Sequence, residues 1–420
     1  MTARKPHNPY GIRSRPSWVE CTLGELVADG PSFIQTGPFG SQLHAHDYKE
    51  EGIPVVMPQQ LGDNVIDFSE IARISEADRD RLSRHVMEEG DIVFSRRGDV
   101  TRRALITAET AGCLCGTGCL LIRLKHPKVD NRFLALFLSL PAFKSYITQK
   151  AVGATMPNLN TGILERIPLV LPPHDVQVGI VTVLARYSSS IDNNHRRIML
   201  LERAASQLYR EWFIRLRFPG REHARVKGRL PDGWKPSTFG DLCEEIRESV
   251  SPEAMEPDTP YIGLEHIPRR SISLSEWGSV EEVTSSKHRY REGDILFGKI
   301  RPYFHKVGIA FTDGVASSDA IVIRPKDAKL LPLVLMTASS DPFVATTSQT
   351  MREGSKMPRA DWKQMQAYPA PTPPDGLLQS FNDFINPILA QLKTLALMNR
   401  RLKAARDLLL PKLMSGEVAV

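Results

Sequence analysis

From Ile180 to Trp212 a seam of mostly apolar side chains recurs in alternating steps of four and three: Ile180, Leu184, Tyr187, Ile191, Asn194, Ile198, Leu201, Ala205, Leu208 and Trp212. Only Asn194 is strongly polar. A heptad rhythm kept up this long predicts one long helix whose apolar stripe needs a partner. The rhythm returns at Phe381, Ile385, Ile388, Leu392, Leu395, Asn399, Leu402, Arg406, Leu409 and Leu413, with Asn399 and Arg406 as exceptions. A helix of about 40 residues is roughly 60 Å long. Pro387, in the early turns of the second helix, is placed to kink it.

Between the helical stretches the pattern shortens. Ile53–Met57, Asp91–Phe94, Leu120–Ile122, Asp294–Phe297 and Ile321–Ile323 are short apolar runs punctuated by Gly, Pro and Asp. They predict compact sheets with turns. The runs come in pairs. Gly90-Asp91-Ile92-Val93-Phe94 returns as Gly293-Asp294-Ile295-Leu296-Phe297, and Thr22-Leu23-Gly24-Glu25-Leu26 returns as Thr238-Phe239-Gly240-Asp241-Leu242. Met156-Pro157 with Pro172-Pro173 returns as Met357-Pro358 with Pro373-Pro374. The offset drifts from 216 at the start of each copy to 203 and then 201. The unit is too long for a solenoid, whose repeats run about 20–50 residues.

The predicted class is α+β: two similar mixed α/β domains and two long helices, arranged with an internal pseudo-two-fold. The expected boundaries are 1–173 for the first domain, 174–216 for the first helix, 217–233 for a polar linker, 234–374 for the second domain and 375–420 for the second helix and tail. Two heptad seams in one chain can satisfy each other. Antiparallel pairing brings Asn194 and Asn399 together near the helix midpoints, where a buried polar pair sets register. The alternative is that each faces a gap or a partner chain.

Composition narrows the function. Net charge is +6, which leans towards an acidic partner, with nucleic acid the commonest. Five cysteines in 420 residues suggest a reducing compartment, and no secretory signal or apolar run of membrane-spanning length is visible, so a cytoplasmic location is expected. Cys113, Cys115 and Cys119 have zinc-like spacing but lack a second ligand pair, so they read as buried strand cysteines. His44, His46 and Asp47 read as a polar loop on the same grounds.

The order of strand-rich domain, proline strip and heptad helix, all repeated, resembles the specificity subunit of type I restriction-modification systems. The resemblance runs from about Trp18 to Glu417. It is carried by Gly90–Gly98, Gly293–Pro302, Tyr261–Glu265 and Leu410–Glu417. It implies two target recognition domains that read a bipartite site in double-stranded DNA, with a coiled-coil spacer between them. It further implies partners: two methyltransferase subunits that modify adenine, and restriction and translocase subunits. S-adenosylmethionine, ATP and Mg2+ would sit on those partners, and no cofactor or metal on this chain.

Candidate DNA contacts follow the repeat. After the Gly-Asp-Ile strands come Arg96, Arg97, Arg102 and Arg103 in copy one, and Lys299, Arg301, His305 and Lys306 in copy two. Arginine can grip guanine with two hydrogen bonds, and either cation can hold phosphate. Asn158 and Asn160 precede the first proline strip, with Lys356 and Arg359 in the matching loop. Ser41 and Gln42 close a glycine-rich loop, Thr36–Gln42, that suits either close approach to a backbone or a plain turn. Gln59 and Gln60 have the chemistry to read adenine. Exposed helix positions around Met199, Phe213 and Leu397 are candidates for docking partner helices.

Catalytic signatures are missing. The Pro-Pro pairs are followed by His174 and Asp375 rather than an aromatic residue, so no amino-methylation tetrapeptide forms. No Phe-x-Gly-x-Gly loop, Glu-x-Lys tripeptide or Gly-x4-Gly-Lys-Ser/Thr loop is present, although Asp327-x-Lys329 and Asp361-x-Lys363 are. The expected role is therefore a non-catalytic DNA-reading subunit. Two other classes stay open: a helix-pair assembly protein that reads no DNA, and a self-contained restriction-methylation enzyme.

Overall fold

A computed structural model describes residues 8–12, 15–153, 156–227, 230–349 and 358–420. The chain divides into two compact units, Met1–Ser188 with Ala405–Val420, and Ser189–Ala404.

The first unit is organised around the strand Ile92–Ser95, paired antiparallel with Cys119–Arg123 on one side and Arg103–Leu105 on the other. Phe33–Thr36 extends this sheet beyond Cys119–Arg123. The central strand reads as an unbroken apolar run because both its faces are covered. Ile92 and Phe94 enter a core with Phe133, Phe137 and Phe143, while Val93 enters a second core with Cys115, Cys119 and Leu121. A smaller sheet orders Tyr48–Lys49, Arg73–Ile74, Ile53–Val56 and Leu114–Cys115. The strand Val19–Thr22 pairs with the proline strip Pro168–Leu171.

The second unit builds the same way around Ile295–Gly298, flanked by Ala320–Pro325 and Val307–Ala310. Ile295 and Phe297 face the larger core; Leu296 faces a separate cluster with Tyr290 and Val322. A second five-stranded sheet orders Ser249–Val250, Lys287–Tyr290, Gly314–Ala316, Pro260–Ile262 and Gly278–Ser279.

The paired Thr-x-Gly-acid motifs are helix starts. The Thr22 side chain accepts from the Glu25 amide while Glu25 accepts from the Thr22 amide, a reciprocal cap. Thr238 and Asp241 open a short helix in the same place of the second copy. The glycine between them is required by packing: a Cβ on Gly24 would lie 2.9 Å from the Glu165 carbonyl oxygen, and one on Gly240 would lie 2.8 Å from Gln366 Cβ.

The long helices run His174–Tyr209, followed by a single π turn Arg210–Ile214, and Asp375–Met414. The second passes through Pro387 unbroken. Every predicted seam position is buried or half-buried. Within the first unit, Ile180, Val181 and Leu184 share a core with Leu413 and Met414. Within the second, Asn194 Nδ2 donates to Asn399 Oδ1 at 2.8 Å, and Trp212 meets Phe381 with ring centroids 5.8 Å apart. These contacts run in opposite order along the two helices, so the segments lie antiparallel in that unit.

Two surface expectations are corrected. Phe213, within the π turn, is packed, its ring 4.8 Å from Phe381 and 5.6 Å from Trp234. Leu397 is half-buried beside the seam, and its neighbour Met398 faces outward, as does Met199 at 61% exposed. In the segment expected as a polar linker, Phe218 is buried against Trp234.

Candidate nucleic-acid interface

The Gly-Asp-Ile motif is a turn with an electrostatic lock. Gly90 and Gly293 both hold φ of 89°, a left-handed conformation that favours glycine. The following carboxylate closes the turn and grips an arginine one strand away. Asp91 accepts from the Glu88 amide at 2.7 Å and from Arg123 Nε and Nη2 at 2.9 and 2.7 Å. Asp294 accepts from the Arg291 amide at 2.8 Å and from Arg324 Nε and Nη2 at 2.8 and 2.6 Å. Bidentate pairs of this kind fix orientation as well as distance.

A second set of bonds fixes the loop at the far end of the strand. In the first unit Arg96 N donates to Gly118 O at 2.8 Å, Leu159 N to Arg96 O at 2.9 Å and Gly98 N to Pro157 O at 3.2 Å. In the second, Lys299 N donates to Asp319 O at 2.7 Å, Ala360 N to Lys299 O at 2.7 Å and Arg301 N to Pro358 O at 2.9 Å. Each unit therefore staples its post-strand loop to the loop before the proline strip. Two segments that the sequence marks as separate candidates form one surface in each unit. The frame is backbone, so the side chains on it are free to differ.

The candidates divide on that surface. In the first unit Arg97 is exposed beside half-buried Asn158, and their backbones bridge directly. Arg96 is half-buried, and its buried Nε has no hydrogen-bond partner among the described residues. Arg102 is exposed and paired with Asp99 at 3.2 Å. Gln59 is exposed, and a cleft of about 430 Å3 gathers it with Gln60, Asp63, Asp67, Asp99, Arg102 and Lys144. Burial works to raise the Asp63 carboxyl, but Lys144 and Arg103 outweigh it and hold it below the usual range.

Several candidates are corrected. Arg103 has no exposed side-chain surface; it is clamped by Asp63 at 2.8 Å and the Thr101 carbonyl at 3.1 Å, so it braces the loop from within. Gln60 is 6% exposed and its side chain accepts from the Met57 amide. Asn160 caps the helix Thr161–Glu165 through the Ile163 amide at 2.8 Å. Ser41 and Gln42 are exposed, but the Gln42 side chain closes its own turn on the Phe39 amide. Gly37 is needed inside the protein, since a Cβ there would lie 2.0 Å from the Gly116 carbonyl oxygen.

In the second unit Lys299 is half-buried, while Arg301 and Arg359 are exposed, the latter 3.6 Å from Asp319. His305 is 7% exposed with Nε2 2.8 Å from the Ser339 carbonyl oxygen; burial pushes its pKa down, so it is a neutral brace and not a phosphate cation. Lys306 donates to the Leu264 carbonyl, and burial lowers it as well. Lys356 lies outside the described residues. Two further residues share these surfaces without a signal in the sequence pattern: Tyr303, exposed at the loop tip, and Lys144, paired with Asp63 at 2.7 Å.

The cysteines at 113, 115 and 119 are buried, and burial pushes the Cys115 thiol up to about 12. No cluster of metal-binding side chains occurs among the described residues. No described helix is long and apolar enough to cross a membrane.

Residues 18–203 match the family model described as the type I restriction modification DNA specificity domain. The chain is 22% identical over 310 residues to the type I restriction enzyme MjaIX specificity subunit of Methanocaldococcus jannaschii, covering 70% of each. It is 27% identical over 255 residues to the EcoDI specificity subunit of Escherichia coli, covering 54% of this chain and 56% of that one. It shares its fold with the crystal structure of a type I restriction-modification S subunit from M. genitalium, with TM-score 0.58, 14% identity and 96% of both chains covered.

Proposed function

We propose, from a chain whose residues 18–203 belong to the type I restriction-modification DNA specificity domain, that it is the DNA-reading subunit of such a system and carries no catalysis of its own. Each unit reads one half of a bipartite site in double-stranded DNA. Methyltransferase subunits bound to the chain modify an adenine in each half. Restriction and translocase subunits join the same assembly. S-adenosylmethionine, ATP and Mg2+ act on those partners.

One observation carries this reading: the two units hold the same stapled loop pair on the same backbone bonds, yet present different side chains on it. A shared frame with changed tips is what two readers of different sequences need. Phosphate contacts position such a frame, and the side chains that reach base edges supply the sequence information. The net charge of +6 favours the approach to a polyanion.

Methylation mapping in cells that express this chain with its methyltransferase tests the proposal. The expected product is one two-part motif with a fixed unread gap, lost when the chain is deleted. A continuous motif, or methylation indifferent to the chain, contradicts it. Methyl transfer by the purified chain alone contradicts the non-catalytic assignment.

A further inference from the structure

The two stapled loops differ in what stands at their tips. In the first unit the loop between the paired strands runs from Arg96 to Thr101. Val100 at its tip is 2% exposed, and Asp99 is engaged by Thr101 Oγ1 at 2.6 Å and Arg102 Nε at 3.2 Å. In the second unit the loop runs one residue longer, from Lys299 to His305, between ladder bonds equivalent to those of the first: Ser95 N to Arg102 O, and Gly298 N to Lys306 O. The extra residue turns the tip outward, and Tyr303 stands 50% exposed on it.

That tip is held rigidly. Arg301 and His305, on either side, have φ of 50° and 54°, left-handed values that L side chains rarely adopt. Pro302 restricts the turn between them. Phe304 N donates to Arg301 O at 2.9 Å and His305 N to Pro302 O at 2.8 Å, while Arg270 N donates to His305 O at 2.9 Å from outside the turn. Phe304 packs beneath, its ring 4.9 Å from Tyr303 and 4.1 Å under the Arg269 guanidinium, with Arg301 at 5.8 Å. A large aromatic ring is thus held in solvent on a constrained turn, with two arginines at its base. Core packing does not account for its exposure.

We propose that Tyr303 is a specificity-determining contact of the second unit, its ring lying against the methyl edge of a thymine in the major groove while Arg269 and Arg301 face the flanking phosphates. The inference rests on the DNA-reading function above. In the major groove of an intact duplex the thymine methyl is the apolar mark by which bases are told apart, and it suits a ring that meets the groove edge-on. A preorganised tip loses little conformational freedom on contact. The first unit offers no equivalent ring, so the requirement falls on one half-site only.

The full-length wild-type chain first selects its duplex from a randomised pool, and that duplex is the probe. Tyr303→Ala should weaken binding about ten-fold, with the salt dependence unchanged because no phosphate contact is removed. Tyr303→Phe should bind as wild type does, which separates the ring from the hydroxyl. Replacing thymines one at a time by deoxyuridine should reveal one position in a single half-site where the wild type loses about three- to five-fold, the worth of one methyl group. Tyr303→Ala should be indifferent to that replacement. Equal binding by Tyr303→Ala, or its continued sensitivity to that deoxyuridine, overturns the assignment. Increased 2-aminopurine fluorescence beside the contact would mean a wedge that unstacks the bases, and overturns it too. Failure of the wild type to select any duplex removes the DNA-reading function itself, a result distinct from failure of Tyr303 alone.

Discussion

Asn194 and Asn399 meet side chain to side chain in the interior of the second unit, 2.8 Å apart, and Asn399 also donates to the Ile191 carbonyl at 3.4 Å. Both are buried, at 5% and 3% exposed. Each satisfies a polar group that would otherwise stand unpaired in an apolar seam. Their value lies in register, because sliding one helix by a turn would set Asn194 against leucine and Asn399 against isoleucine.

Substitution should expose that logic. Asn194→Leu leaves the Asn399 amide facing an apolar neighbour and should cost about 1–3 kcal/mol. Asn399→Leu should cost a similar amount. The double leucine variant should recover most of the loss, since no orphan amide remains. Urea unfolding of the four proteins checks this, and a double variant less stable than either single one would contradict it.

Arg97 and Arg103 stand six positions apart and should behave as opposites. Arg97 is exposed on the stapled loop, so Arg97→Ala should keep the melting temperature and relax reading of one half-site only. Arg103 is enclosed, while its partner Asp63 is exposed and also held by Lys144, so Arg103→Ala should destabilise the first unit by about 1–3 kcal/mol, chiefly through the lost packing of its buried stem. Methylation mapping and thermal melts on the same two proteins separate the effects. Equal damage to both half-sites by Arg97→Ala would mean that the units do not divide the site between them.

The Asp294–Arg324 lock holds the second loop in position, as Asp91–Arg123 holds the first. Asp294→Asn keeps the shape but weakens the fork and removes the charge. It should cost about 2–4 kcal/mol, lower than for a fully enclosed pair because Arg324 is partly exposed. Denaturant unfolding followed by the fluorescence of Trp234, which lies in the core of the same unit, reads this directly.

Glu202 introduces a pH dependence. Burial raises its carboxyl pKa, although Oε1 accepts from Ser271 Oγ, Ser273 Oγ and the amides of Ile272 and Ser273 at 2.7–3.1 Å. The unfolded glutamate ionises near its ordinary value of about 4.3. Between that value and the raised one, the folded state holds more protons than the unfolded state, so stability falls as pH rises through the window and levels off above it. Glu202→Gln keeps an acceptor oxygen and cannot ionise. Its melting temperature relative to wild type should therefore rise between pH 4 and neutrality. A flat difference across that range would place the ionisation elsewhere.

The sequence by itself determined the helices and the core strands, because each is written in local periodicity; the meeting of the asparagines was one of two readings it left open, and the packing of the helices decided it. A heptad seam names the stripe that must be covered, and its two polar members pair only in one antiparallel register. Ile92–Phe94 and Ile295–Phe297 declare strands covered on both faces by their unbroken apolar runs. What the tertiary structure alone decided was which charges face outward. Arg97 and Arg103 are alike in a list of residues; the strand pairing that turns one out and encloses the other depends on Asp63, 40 positions away. His305 and Lys306 became braces because carbonyls of distant loops needed donors there. Tyr303 became prominent because one inserted residue, held between two left-handed neighbours, pushed the tip of its loop into solvent. Periodicity is a local property, but exposure is settled by whatever packs against a residue from far along the chain.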